Sequence, residues 1–420
     1  MIRIKLDDLI PGMKIAGDVI DDNGRHLIKK QTVLTQKSIR ILKAWGITEV
    51  DVFDGASNES GASSDTSPGE DLVKKIERAL IQRFMYNDLS HEAVQELLKL
   101  CVKRKSEMID TKEHCYQIKD IFTDPLDNIG KLNDKDALTF IKVEELIGKI
   151  ETLPTLPNIY FELHKVITDP RSSAREIADI ISKDMSLSAR ILKIANSAFY
   201  GFRKKIETIS EAVVTLGIHE IGALSLGLTY VKYFKNIPNN IIDMNLFWEH
   251  SIACAIAART IGSHAGVENI ERLFVGGILH DIGRLLLFSY YPDEAGKVIR
   301  SSRTENGFVY DKEEEILGVH HSDIGGMLLE KWGLPESIRN MVAFHHAPES
   351  SASSKEPAII SLADVIINAL CLGTSGEQFI PVLKPETWNA VGISKNVLAI
   401  TIKQIDRQMI DVFRFFQDGQ

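Results

Sequence analysis

The 420-residue chain is long enough for two or three domains, and its 44% hydrophobic and 25% charged residues can bury a large core. A formal net charge of −9 and a pI near 5.8 argue against a protein whose main task is gripping nucleic acid, because phosphate binding needs a basic face. Four cysteines (Cys101, Cys115, Cys254, Cys371) lie far apart without C-x-x-C spacing, so neither a disulfide framework nor a cysteine metal site follows, and reduced thiols are expected.

Residues 1–54 read as a small β-rich module. Residues 2–6 alternate in strand fashion, residues 13–21 form a second strand candidate, and Asn23-Gly24 gives a tight-turn signal before residues 26–34. Thr35 can cap a short helix carrying Ile39, Leu42 and Trp45, which Gly46 would stop, and residues 47–53 alternate again. Residues 55–69, rich in Gly, Ser, Ala and Asn, cannot build a core and predict a flexible linker. Residues 70–140 predict a helical connecting region. In it Leu72, Ile76, Leu80 and Phe84 recur every fourth residue, and Ser90 can cap a helix with Val94, Leu97, Leu98 and Cys101 inward. Lys103, Arg104 and Lys105 read there as a solvated helix face. Residues 141–420 predict an all-α domain, broken at Asp169-Pro170, Gly201, Gly217 and Gly333-Leu334-Pro335. No stretch approaches the roughly 20 uninterrupted apolar residues of a membrane span. The first residues also lack a signal-peptide core, so a cytoplasmic chain without a membrane partner is expected.

In the first half of the helical domain, Ile177, Ile180 and Ile181, then Leu187, Ile191, Leu192 and Ala195, fit two packed helices. Asn196 and Ser197 stand where a helix meets a loop and are expected to tie down backbone groups. Four pieces follow in order: Leu153-Pro154-Thr155-Leu156-Pro157, Asp169-Pro170, residues 191–200 (Ile-Leu-Lys-Ile-Ala-Asn-Ser-Ala-Phe-Tyr) and Leu216-Gly217. The ordered set resembles the signature of the HDOD (HD-related output domain) family.

The second half carries His250, His280, Asp281, His321, His345, His346 and Asp364. His280-Asp281 lies inside residues 273–288, apolar on nearly every side and therefore read as one buried helix. An ionised aspartate there costs several kcal/mol unless it is paired or binds a metal. Asp364 poses the same problem within residues 359–367. Imidazole and carboxylate together suit Zn, Fe, Mn or Ni. Gaps of 30 residues from His250 to His280, 40 from Asp281 to His321 and 18 from His346 to Asp364 fit ligands drawn from separate helices. His164, His219 and His264 read as ordinary core histidines and His320 as a non-ligand. The acidic run Asp311, Glu313, Glu314, Glu315 reads as a solvated helix start.

The order H…HD…H…HH…D is similar to that of the HD metal-dependent phosphohydrolase superfamily. The resemblance implies two ions: one held by His250, His280, Asp281 and Asp364, the other by Asp281, His321, His345 and His346. It also implies phosphate binding by Arg284, which stands where HD-GYP phosphodiesterases carry a lysine. The substrate loop of those enzymes is absent, because His345-His346 runs on into Ala347-Pro348-Glu349-Ser350. Residues 1–54, through Leu6-Asp7-Asp8-Leu9-Ile10-Pro11-Gly12-Met13, resemble the module that often precedes HD-GYP domains.

The expectation is therefore a mainly α bacterial signalling protein, an HDOD/HD-type helical domain behind a small β-rich module. It would bind divalent transition metal or a nucleotide and act through signalling partners, with catalysis left open. The alternatives are a metal-dependent phosphohydrolase acting on a (cyclic di)nucleotide and an iron-bearing sensor. Residues 395–416 predict an amphipathic helix that either packs on the domain or mediates homo-oligomerisation.

Overall fold

The computed structural model describes residues 68–110, 171–196, 204–218 and 241–417 without a break apart from 333, together with short stretches within 2–52 and single positions elsewhere. Two compact units divide the chain, Met1–Thr66 and Ser67–Gln420. In the first, β1 (Ile2–Lys5) pairs antiparallel with β4 (Glu49–Val52), Ile2 opposite Val52. There β2 (Val19–Ile20) pairs antiparallel with β3 (His26–Ile28) through an irregular register. Among the described residues of the stretch expected to be a second strand, Val19 and Ile20 are extended and Ile15 forms a bridge. Ile15, Leu34, Leu42, Val50 and Val52 are buried. Leu42 is helical, and the rest of the helix expected around it lies outside the described residues, as do Leu153–Pro157, Asp169-Pro170 and Ser197.

The second unit is helical. Helix α1 (Pro68–Arg83) begins two residues inside the expected linker, with a proline in the first turn, where its missing N–H costs nothing. Its every-fourth-residue stripe is real: Ile76, Leu80 and Phe84 are buried against α2 (Glu92–Asp110), which inserts Val94, Leu97 and Cys101. Arg104 is not part of a solvated strip; it ion-pairs at 2.8 Å with Asp406 on the C-terminal helix. Just past α1, Asn87 Nδ2 donates to the carbonyls of Ile380 and Pro381, and its Oδ1 accepts from Leu383 N at 2.9 Å. Arg83 donates to Gln378 O and Cys371 Sγ. The helical hairpin thus grips residues 371–383.

Next come α3 (Ala174–Ser182), α4 (Met185–Ala195) and α5 (Ile209–Leu216), which pack on one another through Ile177, Ile181, Ile191, Ala195 and Val213. Ser173 and Glu176 close a capping box at the start of α3, each side chain accepting from the other's backbone N–H. Asn196 does what its position suggests: its side chain brackets Ile206 through both N–H and C=O at 2.7 Å.

Most of the core lies in the last 180 residues. Helix α6 (Met244–His264) is buried along most of its length, and α7 (Ile270–Leu279) lies against it. Gly277 makes that approach feasible, because a Cβ there would stand 2.5 Å from Ala255 Cα. The apolar stretch is not one helix. It breaks at His280-Asp281, and α8 (Ile282–Tyr290) starts afresh with Asp281 at its N-cap. Taken together Ile270–Tyr290 reaches the length and apolarity of a membrane span, yet its most apolar 18-residue window is 89% buried inside the unit. Helices α9 (Pro292–Thr304), α10 (Val309–Leu317), α11 (His321–Lys331) and α12 (Glu336–Ala343) follow. Then come α13 (Lys355–Leu370), α14 (Pro385–Val391) and α15 (Asn396–Gln417). The last of these packs on α6 through Leu398, Ile402 and Ile405, so at least this apolar face is spent within the chain.

Candidate metal centre

All seven expected ligand positions meet in one place. His250 comes from the middle of α6, His280 and Asp281 from the α7–α8 break, and His321 from the first turn of α11. His345 and His346 follow α12, and Asp364 lies midway along α13. His250 Nε2 is 3.3 Å from His280 Nε2 and 3.1 Å from Asp364 Oδ1. On the other side His321 Nε2 is 3.3 Å from His345 Nε2 and 3.2 Å from His346 Nε2. Asp281 stands between the two sets. Its Oδ2 is 3.2 Å from His280 Nε2, and its Oδ1 is 3.0 Å from His321 Nε2. The break after His280 is what turns the two carboxylate oxygens toward different histidine groups. Gly283 keeps the second group near: a Cβ at that position would stand 1.9 Å from His321 O.

The far nitrogens of three rings are already engaged. Nδ1 lies 2.8 Å from Gly277 O in His280, 2.7 Å from Val342 O in His345, and 2.6 Å from Glu313 Oε2 in His321. Carbonyl and carboxylate oxygens only accept, so each ring carries a proton on Nδ1 and directs Nε2 inward. Ring nitrogens thus face one another across about 3.2–3.3 Å. Asp281 Oδ1, buried, has no hydrogen-bond partner of acceptable geometry. Buried imidazole and carboxylate groups crowded at these distances are what a cation draws together, and the outer acceptors on His280, His345 and His321 are the usual support of a metal ligand. The donor set fits a metal.

Electrostatics follow the same arrangement. Burial alone would raise the Asp281 carboxyl, but Arg284 and His280 hold it well below the usual range. Burial would lower His321, yet Glu313 and Asp281 together lift the ring to about 9, so without metal its Nε2 also carries a proton, which a bound ion would displace. His345 has burial, His280 and His321 all against its charged form, and falls to about 3. Burial and the neighbouring His345 and His321 push His346 well below its ordinary value.

Arg284 is the largest fully buried side chain in the fold. Its Nη1 donates to Ser375 O at 2.9 Å and to Ser375 Oγ, and its Nη2 donates to Glu377 Oε1 at 2.8 Å. The Nε edge lies 3.4 Å from Asp281 Oδ1 and 3.7 Å from Glu313 Oε1. Despite burial, Asp281, Glu377 and Glu313 keep the guanidinium charged. The fork that the HD resemblance assigned to phosphate is turned into the protein, and Arg284 acts as a brace for the bridging aspartate.

Several supporting residues went unforeseen. Glu313, expected to be solvated, is 2% exposed and holds both His321 N and Nδ1; Asp311, Glu314 and Glu315 are exposed as expected. Cys254, one turn after His250, offers its Sγ 3.7 Å from His250 Nε2. Asn368 donates to Asp364 Oδ1 at 2.7 Å. His320 is no ligand: it stacks on Tyr310 with ring centroids 3.8 Å apart, while Tyr310 also rests against half-buried His346.

The chain is similar to known proteins over this region. Residues 153–348 match the HDOD domain family, a stretch that includes six of the seven positions and leaves Asp364 outside. An uncharacterized protein of Treponema pallidum is 26% identical over 236 residues, 56% of this chain and 45% of that protein, so the chain spans less than half the length of that relative. Among solved structures, an HDOD domain protein of unknown function from Geobacter sulfurreducens matches with a TM-score of 0.56 at 23% identity, covering 66% of this chain and 96% of the other. A protein from Shewanella amazonensis described as a candidate phosphohydrolase matches with a TM-score of 0.53 at 25% identity, covering 64% and 97%.

Proposed function

We propose that this chain, whose residues 153–348 match the HDOD domain family, is a regulatory protein of bacterial signal transduction that holds divalent metal and acts through protein partners. Two ions would be bound, one by His250, His280, Asp281 and Asp364, the other by Asp281, His321, His345 and His346. Imidazole with carboxylate suits Zn, Fe, Mn or Ni. When bound, such ions supply Lewis acidity. The protein's part is positioning. Gly277, Val342 and Glu313 fix three imidazoles with Nε2 inward, and Arg284 steadies Asp281.

The observation that carries the regulatory reading is the commitment of Arg284 to Ser375 and Glu377. Phosphoryl transfer calls for a cation free to meet developing negative charge. Among the described residues, the one guanidinium touching the ligand set is buried and occupied. A second reading, hydrolysis of a nucleotide phosphate or cyclic dinucleotide, is favoured by half-buried His346, which leaves the second group of ligands reachable from solvent beside the stacked Tyr310 and His320 rings.

Metal content by mass spectrometry, on full-length protein purified without chelator and beside Asp281→Ala, tests both. The regulatory reading expects about two transition-metal ions per chain, lost in the variant, and no hydrolysis of cyclic dinucleotides by the loaded protein. Hydrolysis that disappears in Asp281→Ala would replace it with the second reading. Folded protein without metal in either sample would end both.

A further inference from the structure

We propose that Cys254 is a ligand of the first ion, making that half of the centre a mixed nitrogen, oxygen and sulfur site for a borderline or soft divalent cation such as Zn(II) or Co(II), chemically unlike its His-rich neighbour. The inference rests on the metal reading above and specifies one of its two sites.

Cys254 follows His250 by four residues in α6, so the two side chains share a helix face. The donor atoms of His250, Cys254, His280 and Asp364 all lie within 4.8 Å of one another, and all four residues are buried. A buried thiol is ordinarily a small hydrophobe. This one faces two imidazole nitrogens and a carboxylate instead of a wall of methyl groups.

Four of the six separations lie near the edges of a tetrahedron, and the rest are within 4.8 Å. With metal–nitrogen and metal–oxygen bonds of about 2.0–2.1 Å and metal–sulfur bonds of about 2.3 Å, ligand atoms at tetrahedral corners stand roughly 3.3 Å apart for nitrogen and oxygen and roughly 3.6 Å apart for nitrogen and sulfur. The observed edges are 3.3 Å from His250 to His280, 3.1 Å from His250 to Asp364, 3.8 Å from His280 to Asp364 and 3.7 Å from His250 to Cys254. A second, independent sign is the His250–His280 pair. The Nδ1 proton of His280 is spent on Gly277 O, so its Nε2 lone pair points at the other ring. Asp364 is held in place by Asn368. Asp281 Oδ2, 3.8 Å from His250 Nε2, remains near enough to add a fifth donor.

Binding converts S–H to S–metal, and the thiol proton leaves to solvent. Sulfur changes which ion is preferred: thiolate favours Zn and its soft neighbours, whereas the three histidines and Asp281 of the other half also suit Mn or Fe.

Cobalt(II) loaded into the full chain reads the ligand directly, because a cysteine thiolate on cobalt gives a strong sulfur-to-metal charge-transfer band in the near ultraviolet that nitrogen and oxygen donors do not give. Wild type and Cys371→Ala are expected to show the band; Cys254→Ala and the closer mimic Cys254→Ser are expected to lose it. Zinc affinity of the Cys254 variants should fall by at least the roughly 10–100-fold that changes around a ligand cost. Cobalt bound by wild type without the band would overturn the cysteine assignment and leave the metal reading standing. A band that survives Cys254→Ser would do the same. Wild type that binds no cobalt at all would overturn the metal reading and this inference with it.

Discussion

The two halves of the His/Asp centre share Asp281 and differ in their access to solvent. Around His250, His280 and Asp364 every donor is buried, Asn368 donates to the Asp364 oxygen that faces the histidines, and Cys254 offers a further donor. Around His321, His345 and His346 the last ring is half-buried and borders Tyr310 and His320 at the rim. Closed sites with a full donor set are the structural kind, and sites that leave a position open are where ligands arrive. One half therefore anchors helices, and the other is where anything from solvent must enter.

Replacing the shared residue should break the distinction altogether. Asp281→Ala is expected to remove metal from both halves and to take one of three carboxylates from the buried Arg284, destabilising the fold by less than the roughly 3–5 kcal/mol of an unpaired buried charge because Glu377 still pairs it; metal content and urea unfolding read the two effects separately. If one ion survives in the folded variant, Asp281 does not bridge. Glu313→Gln acts mainly on the open half, by removing the carboxylate that orients His321. Affinity there should fall by about 10–100-fold while the closed half keeps its ion, which a titration followed by mass spectrometry of bound metal would separate.

Acidity sharpens the contrast further. In chelator-treated protein, His345 has a folded-state value of about 3, below the ordinary histidine value near 6.5, so between these two pH values the unfolded chain binds more protons. Stability should therefore fall as pH drops through that window. His321, lifted to about 9, works the other way: its contribution is complete below its ordinary value and is lost as pH rises through 9. Unfolding midpoints across pH 4 to 9 should accordingly peak near the middle, and midpoints that rise steadily toward either end would contradict the assignment. The smallest effect is expected from Tyr310→Ala, which removes the ring against His346 and should weaken metal in the open half by no more than a few-fold, as an edge contact worth about 0.5–1 kcal/mol implies.

Much of this was legible in the sequence where a local rule applies. The apolar spacing that separates Ile177, Ile180 and Ile181 from Leu187 and Ile191 marks α3 and α4, and histidines and aspartates set among apolar residues announce a buried polar centre. Glu313 was legible too and was misread. It lies four residues after Val309 and three and four before Ile316 and Leu317, all buried, so helical spacing sets it on the inward face although composition sets it in an acidic run. Cys254 carried the same signal at four residues from His250. The break at His280-Asp281 had none, since neither Gly nor Pro marks it and only the packing of α8 on α11 demands it. The Arg284 contacts with Ser375 and Glu377 span more than 90 residues, and nothing short of the folded chain brings such partners together.

The grip of α1 on residues 371–383 bears on how this protein can be cut. A fragment trimmed to residues 153–348 would lose Asp364 from the centre, Ser375 and Glu377 from Arg284, and the Arg83 and Asn87 side chains that secure the segment bearing that pair. The stretch that identifies the domain is thus shorter than the piece of polypeptide able to hold it together, and a soluble excised version should start no later than Pro68 and run through α15.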